Sequence, residues 1–164
     1  MALGILQNTP YWVWGVLFLL LVLGLSQTRT RSVSPVLVLV LPLIMIPLSF
    51  YAVVASFGIK PLPLIAWALG IITALALNSF AFHAPAGVRF LRDAGKFEIP
   101  GSWIPLFLMM VIFLARFVLG VTTAVNPALV GNEIFIGVVC AVLGLCSGTF
   151  AARAIKTLSA RAAA

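Results

Sequence analysis

The sequence predicts an all-α protein, a polytopic bundle of five transmembrane helices with its N-terminus outside and its C-terminus in the cytoplasm. Composition is the first observation behind this prediction: 63% of the 164 residues are hydrophobic and only 8% are charged, whereas soluble domains carry about 25% charged residues. The second observation is the charge pattern, because the basic residues lie in short runs between long apolar stretches. The length fits a single domain.

Five apolar stretches approach or reach the length of about 20 residues that a helix needs to cross the hydrocarbon core. Ser34 is expected to cap the second, and Pro42 and Pro47 are expected to bend it, because proline removes a backbone donor. The fifth is expected to begin at Pro127 or Asn132, and its far end can extend past the membrane. Within one transmembrane domain, we expect the spans at residues 11–25, 35–57, 62–82, 102–125 and 131–152.

The distribution of lysine and arginine predicts the orientation. The first and third connections and the C-terminal tail together hold eight basic residues, the second connection holds Lys60, and the fourth holds none. Cytoplasmic loops of membrane proteins carry the excess of lysine and arginine. We therefore place the first and third connections and the tail in the cytoplasm, which agrees with five spans.

Residues 88–98, in the third connection, are interpreted as a short amphipathic helix that lies in the inner interface. On a helix, Phe90 and Phe97 share one face and Arg92 lies largely on the other. An irregular basic loop is the alternative interpretation, because Gly95 weakens a helix.

The basic residues of the cytoplasmic connections are expected to contact anionic lipid headgroups. This set comprises Arg29, Arg31, Arg89, Arg92 and Lys96. A net charge of +7 is also typical of nucleic-acid binding. Because the charges are divided among short loops, we predict membrane lipids as partners and no nucleic acid.

Arg116 is the basic residue that topology does not explain, because it lies within the fourth predicted span. A central arginine costs about 2.5–3.5 kcal/mol on insertion scales, so a partner or hydration is expected. One interpretation is a binding site for an anionic solute, ion or lipid headgroup, formed by Arg116, Tyr51, Asn78 and Thr123. The alternative is a structural arginine bound to backbone carbonyls that the prolines of the second span leave free, or to Tyr51 or Asn78.

The fifth span carries a stripe of small residues, Gly137, Ala141, Gly144 and Gly148, of which the last two form a GxxxG motif. Such a stripe lets two helices approach closely. Packing within one chain is one interpretation. A homo-oligomer, or a partner membrane protein bound through the Gly144/Gly148 face, is the other.

Sequence motifs of catalysis, cofactor binding and metal binding are not found. With three acids and one histidine, general acid–base chemistry has few candidates. Cys140 and Cys146 are too far apart in sequence for a CxxC motif. We therefore predict no enzymatic activity, no cofactor and no metal site.

The stretch Asn8–Pro35, NTPYWVWGVLFLLLVLGLSQTRTRSVSP, is similar to the start of a family of small bacterial inner-membrane proteins of unknown function. It combines a Pro-aromatic segment, one apolar span and a Gln-x-Arg-x-Arg-like turn. The stretch Gly101–Gly120, GSWIPLFLMMVIFLARFVLG, also resembles the family, including the basic residue in the fourth span. The resemblance implies a multi-pass protein of the bacterial inner (cytoplasmic) membrane, and it implies no activity, cofactor or substrate.

Two functions stay open at this point. The favoured prediction is a non-catalytic accessory or interaction protein that contacts partner helices and anionic lipids. The alternative is a small transporter or channel-like protein that binds an anionic solute, ion or lipid headgroup at Arg116. A cavity that reaches Arg116 favours the alternative, whereas an arginine saturated by carbonyls and sealed by apolar side chains contradicts it.

Overall fold

The computed structural model describes residues 10–81, 88–91 and 95–162. Of these described residues, 81% are helical, which confirms the predicted helical class. The helices, in chain order, are α1 (Tyr11–Ser26), α2 (Pro35–Phe57), α3 (Pro61–Ala81), α4 (Ile104–Val125), α5 (Pro127–Val130) and α6 (Glu133–Ala162). The strands are β1 (Arg31–Val33), β2 (Arg89–Leu91) and β3 (Lys96–Ile99).

Four of the described helices are long and apolar enough to cross a membrane, namely α2, α3 over Pro61–Ser79, α4, and α6 over Glu133–Ser159. Helix α1 is apolar but has only 16 residues, about 24 Å at 1.5 Å per residue. A hydrocarbon core is about 30 Å thick. The structure thus has the character of an apolar helical bundle, while the fifth span and the orientation stay predictions.

The boundaries of α2 and α6 follow from local capping. The Ser34 hydroxyl accepts a hydrogen bond from the Leu37 amide at 3.4 Å, and α2 ends before Gly58, whose φ of 76° is left-handed. The Asn132 side chain accepts hydrogen bonds from the amides of Ile134 and Phe135, which are otherwise unpaired in the first turn of a helix. Both predicted starts of the last span are therefore helix starts: α5 begins at Pro127, and α6 follows Asn132.

The predicted amphipathic helix over residues 88–98 is wrong, because this segment contains the strands β2 and β3. They form an antiparallel pair, and β1 from the first connection pairs with the other edge of β3. Gly95 precedes β3 with a left-handed φ of 59°, a conformation that glycine adopts readily and that a right-handed helix excludes. Along β3, Lys96 is exposed and Phe97 is fully buried. This alternation is the period of a strand.

The three-stranded sheet joins the first and third connections at one end of the bundle, which we call the sheet end. Arg31 of β1 pairs with Ile99 of β3, and the Gln27 carbonyl at the end of α1 accepts a hydrogen bond from the Ser102 amide. Helix α6 also contacts β2 of the sheet. Basic segments from the first and third connections and from the last helix therefore meet at the same end, and the cytoplasmic location of this end stays a prediction.

Helices α3 and α6 pack backbone to backbone through the small-residue stripe. A Cβ at Gly144 would overlap the carbonyl oxygen of Trp67, and one at Gly148 would lie 2.8 Å from the Ile71 oxygen. Opposite them, a Cβ at Gly70 would overlap the Ala141 carbonyl. The structure assigns the Gly144/Gly148 face to packing within one chain. This agrees with the first of the two interpretations of the stripe, and a homo-oligomer or a partner membrane protein stays a prediction.

Gly137, the first residue of the stripe, has open space around it. The stripe therefore packs closely against α3 only in the half of α6 that begins at Ala141. The main core lies between α2, α4 and the first half of α6, where Val53, Leu119 and Cys140 are buried together.

Helix α1 packs chiefly against α4, with Gly24 close to Leu106 near the sheet end. Within α1, Gly24 is buried, whereas Trp12 and Phe18 are largely exposed. Helix α1 is therefore fastened near its C-terminus and stands apart from α2 over most of its length.

Candidate anion-binding groove

A groove lies between α1 on one side and α2 and α4 on the other, and we call it the α1 groove. Its volume is about 1420 Å³, larger than the roughly 300–1,000 Å³ of ordinary small-molecule pockets. It follows α1 from Trp12 at one end to Arg31 at the other, and Leu20, Met109 and Phe113 are among its apolar walls. A long apolar groove of this kind fits an alkyl chain.

Arg116 of α4 points into the α1 groove. Its Nη1 atom donates to the carbonyl oxygen of Ala52 at 3.3 Å and to the hydroxyl of Ser56 at 3.2 Å. The Ser56 hydroxyl in turn donates to the same Ala52 oxygen at 2.8 Å. The last turns of α2 thus bind one nitrogen of the guanidinium, Nη1, through two hydrogen bonds.

The remaining donors of Arg116 make no hydrogen bond with the described residues. A guanidinium carries five N–H groups in a planar fork, and within residues 10–81, 88–91 and 95–162 only Nη1 makes hydrogen bonds. The side chain is exposed, and no carboxylate of the described residues forms an ion pair with it. Arg116 is therefore neither saturated by carbonyls nor sealed by apolar side chains.

Three residues were predicted to bind a ligand together with Arg116. One of them lines the α1 groove, and the other two do not. Thr123 lines the groove, and its hydroxyl donates to the Leu119 carbonyl. Tyr51 is 68% exposed and is not among the residues that line the groove. Asn78 is buried on α3, where its side chain donates to the Ala74 carbonyl. Tyr51 and Asn78 are thus not placed to share a ligand with Arg116.

Ser56 is the partner of Arg116 that the sequence analysis misses. We expected carbonyls freed by Pro42 and Pro47 as hydrogen-bond partners of Arg116. The observed contacts instead lie in the last two turns of α2. The available signal was a hydroxyl in an apolar helix, on the face that also presents Ala52 one turn earlier. Only the rotation of α2 about its axis decides which polar group meets α4.

A second polar cluster lies at the sheet end of the groove. Arg31 and Gln27 both line it, and Nη2 of Arg31 donates to Oε1 of Gln27 at 3.1 Å. Burial lowers the pKa of the Arg31 guanidinium from its usual value, although arginine stays protonated at neutral pH. Arg31 is thus a partly desolvated cation at the mouth of an apolar groove.

The other residues predicted to contact lipid headgroups are less enclosed. Arg29 and Lys96 are exposed at the sheet end. Of Arg89 only the backbone is described, and Arg92 lies outside the described residues. Their headgroup contacts stay a prediction.

The apolar helices indicate an integral membrane protein of unknown chemistry, with a groove that carries a cation in its wall. The family model of DUF6622, a family of unknown function, matches residues 1–164, and the chain belongs to this family. No curated protein and no solved structure matches it. The match confirms the predicted membership of a family of unknown function, whereas the bacterial inner-membrane location stays a prediction.

Proposed function

We propose that the protein binds a single-chain anionic lipid, such as a fatty acid, in the α1 groove, with the carboxylate on Arg116. The observation that carries the proposal is the exposed guanidinium in the groove wall, with unused donors and no described acid beside it. This is the ligand-binding alternative of the two predicted functions.

The charge and shape of the groove favour this class of ligand. A carboxylate carries one negative charge and accepts two parallel hydrogen bonds from a guanidinium. It would offset the cost of about 2.5–3.5 kcal/mol of an arginine deep in a bilayer. The apolar walls suit an alkyl chain and offer little to a hydrophilic solute, which needs polar groups along its whole surface.

The accessory role is supported less well. It relied on the glycine face of α6 as a surface for partner helices, and α3 covers that face within the chain. The contacts with anionic lipids that this role included are compatible with the proposal. A lipid-binding protein of the membrane therefore accounts for more of the structure than a docking protein does.

A pair of ligands that differ only in charge tests the proposal. The purified chain in detergent would be titrated with a dansyl-labelled fatty acid, and oleate or its methyl ester would be added as competitor. We expect oleate to displace the probe and methyl oleate to displace it weakly. Arg116→Gln should weaken oleate binding about 10–100-fold, which is the cost of losing a hydrogen bond to a charged group.

Arg29→Gln is the matched control, because Arg29 is exposed and does not line the groove. It removes the same charge and should leave oleate binding unchanged. Ser56→Ala removes one partner of Arg116 and should have a smaller effect than Arg116→Gln. Equal binding of oleate and its ester, or equal loss in the Arg29 and Arg116 variants, would overturn the proposal.

A further inference from the structure

We propose that the α1 groove binds a long-chain dicarboxylate, with one carboxylate on Arg116 and the other on Arg31 and Gln27 at the sheet end. This inference rests on the function proposed above and specifies its ligand as a hydrocarbon chain with an acid at each end. It follows from hydrogen-bond donors at two separate places in one apolar groove.

Gln27 continues the apolar face that α1 turns to the groove. This face includes Val13, Val16, Leu20 and Leu23, which are spaced three or four residues apart, as on one side of a helix. Gln27 follows Leu23 at the same spacing, directly after the last turn of α1, and it lines the groove as well. This face of α1 therefore changes from apolar to polar at the sheet end.

The Gln27 amide has unused donors at this place. Gln27 is only 9% exposed, and its Oε1 atom accepts a hydrogen bond from Nη2 of Arg31 at 3.1 Å. Since a guanidinium only donates, the amide oxygen faces Arg31, and the NH2 group is left for another acceptor. Within residues 10–81, 88–91 and 95–162, this NH2 group donates no hydrogen bond. A nearly buried amide with unused donors in a groove wall indicates that a ligand supplies the acceptor.

Arg31 provides the charge at the sheet end. It is half-buried and lines the groove beside Gln27, and burial lowers the pKa of its guanidinium from the usual value. Among the described residues, its side chain donates only to Gln27. Glu98 of the neighbouring strand lies opposite Ser32 and not opposite Arg31, so its side chain is on the other face of the sheet. The guanidinium of Arg31 thus keeps donors for an anion in the groove.

The two polar places are separated by apolar walls of a definite length. The Gln27 carbonyl accepts a hydrogen bond from the Ser102 amide just before α4, and Arg116 lies about 20 Å farther along at 1.5 Å per residue. Met109 and Phe113 line the groove between them. An extended hydrocarbon chain advances about 1.25 Å per bond, given bonds of about 1.5 Å and angles of about 111°. A chain of about 16 carbons therefore spans the distance.

The charge pattern favours a dicarboxylate over other lipids. A carboxylate accepts two parallel hydrogen bonds from a guanidinium, so each end of the ligand pairs with one arginine. A fatty acid pairs with Arg116 or Arg31 and leaves the other without an anion. A phospholipid concentrates its charge in one headgroup and likewise pairs with one of the two.

Hexadecanedioate and palmitate test this inference, because they have the same chain length and differ by one carboxylate. Each would compete with the dansyl-labelled fatty acid for the purified chain in detergent. We expect Arg31→Gln to weaken hexadecanedioate binding about 10–100-fold, which is the cost of losing a hydrogen bond to a charged group, and to leave palmitate binding unchanged. Dodecanedioate is too short to reach both arginines, so its binding should not respond to Arg31→Gln.

Arg29→Gln is again the control, because Arg29 lies in the same connection, is exposed and does not line the groove. It should leave the binding of both acids unchanged. If Arg31→Gln does not fold, Gln27→Leu removes the amide with little change in volume. This variant should weaken hexadecanedioate by a smaller factor than Arg31→Gln and leave palmitate unchanged.

The effect of Arg116→Gln separates this inference from the function proposed above. Arg116→Gln should weaken both acids, and if it weakens neither, the proposed function fails. If it weakens palmitate while Arg31→Gln leaves hexadecanedioate bound as tightly as before, only the dicarboxylate is overturned. Equal losses of palmitate and hexadecanedioate with Arg31→Gln, or equal losses of hexadecanedioate in the Arg29 and Arg31 variants, would overturn it too.

Discussion

Helices α3 and α6 meet through their backbones, whereas α1 meets the bundle near one end and leaves a groove along the remainder. In the first region, Gly70, Gly144 and Gly148 allow contacts that a single methyl group would block. In the second region, the facing surfaces carry large apolar side chains such as Leu20 and Phe113. Both regions are built from apolar helices, but their packing is very different.

The difference shows what decides packing in a protein of this composition. Between helices surrounded by lipid there is little hydrophobic driving force, so close contact depends on small residues that let backbones approach. Where both helices present large side chains, lipid fills the space equally well. We infer that α3 and α6 form the rigid part of the molecule and that the α1 side is the part adapted to admit a ligand.

The largest expected effect comes from breaking the sheet, which fastens the α1 side. Phe97→Ala removes a fully buried side chain and should lower the free energy of unfolding by about 3–5 kcal/mol. Unfolding in detergent, followed by circular dichroism, would measure it. Lys96→Ala, at the exposed neighbouring position, should change stability by less than about 0.5 kcal/mol. If both variants were equally stable, the sheet would not be the fastening of α1.

A smaller loss of stability is expected when an added methyl group forces α3 and α6 apart. Gly144→Ala places a methyl group against the Trp67 backbone, and overpacking of this kind costs about 1–3 kcal/mol. Gly137→Ala is the matched control on the same helix, where space is open, and it should be neutral or stabilising by up to about 1 kcal/mol. Equal thermal stability of the two variants would contradict the assigned role of the stripe.

The smallest effect on stability is expected at the contact between α1 and α4. Gly24→Ala crowds Leu106, whose Cδ1 atom the new methyl group would overlap. Because that atom is the end of a flexible side chain, the change should cost about 1 kcal/mol, the low end of overpacking. Oleate affinity should change more than stability does, because Gly24 sets the distance between the walls of the α1 groove. Altered oleate affinity with nearly unchanged thermal unfolding would support a flexible α1 side, and a large loss of stability would contradict it.

The helices were predictable because their signals are local. Residues 35–57 form α2 as expected, with Ser34 as its cap, and Asn132 marks the start of α6. Length and apolarity determine such segments wherever they lie in the fold. The glycine stripe was also visible in the sequence, but whether it packs within the chain depends on which helix lies beside it.

The sheet and the partners of Arg116 were not predictable, because both depend on distant parts of the chain. β1 has three residues, and its neighbour in the sheet is β3, which follows much later in the chain. The contacts of Arg116 with Ala52 and Ser56 depend on how α2 is rotated about its axis. Two prolines lie within α2, and prolines are a common cause of helix kinks. The periodic pattern of apolar residues does not specify the angle through which α2 is rotated about its axis.

The order of the strands has a consequence for biosynthesis. Arg31 pairs with Ile99, so the ribosome makes β1 first and its partner only after two long helices have followed. At about 5–20 residues per second, several seconds separate the two strands. The insertion machinery therefore meets α1 and α2 before the segment that secures them exists, and the molecule closes at its sheet end late in translation.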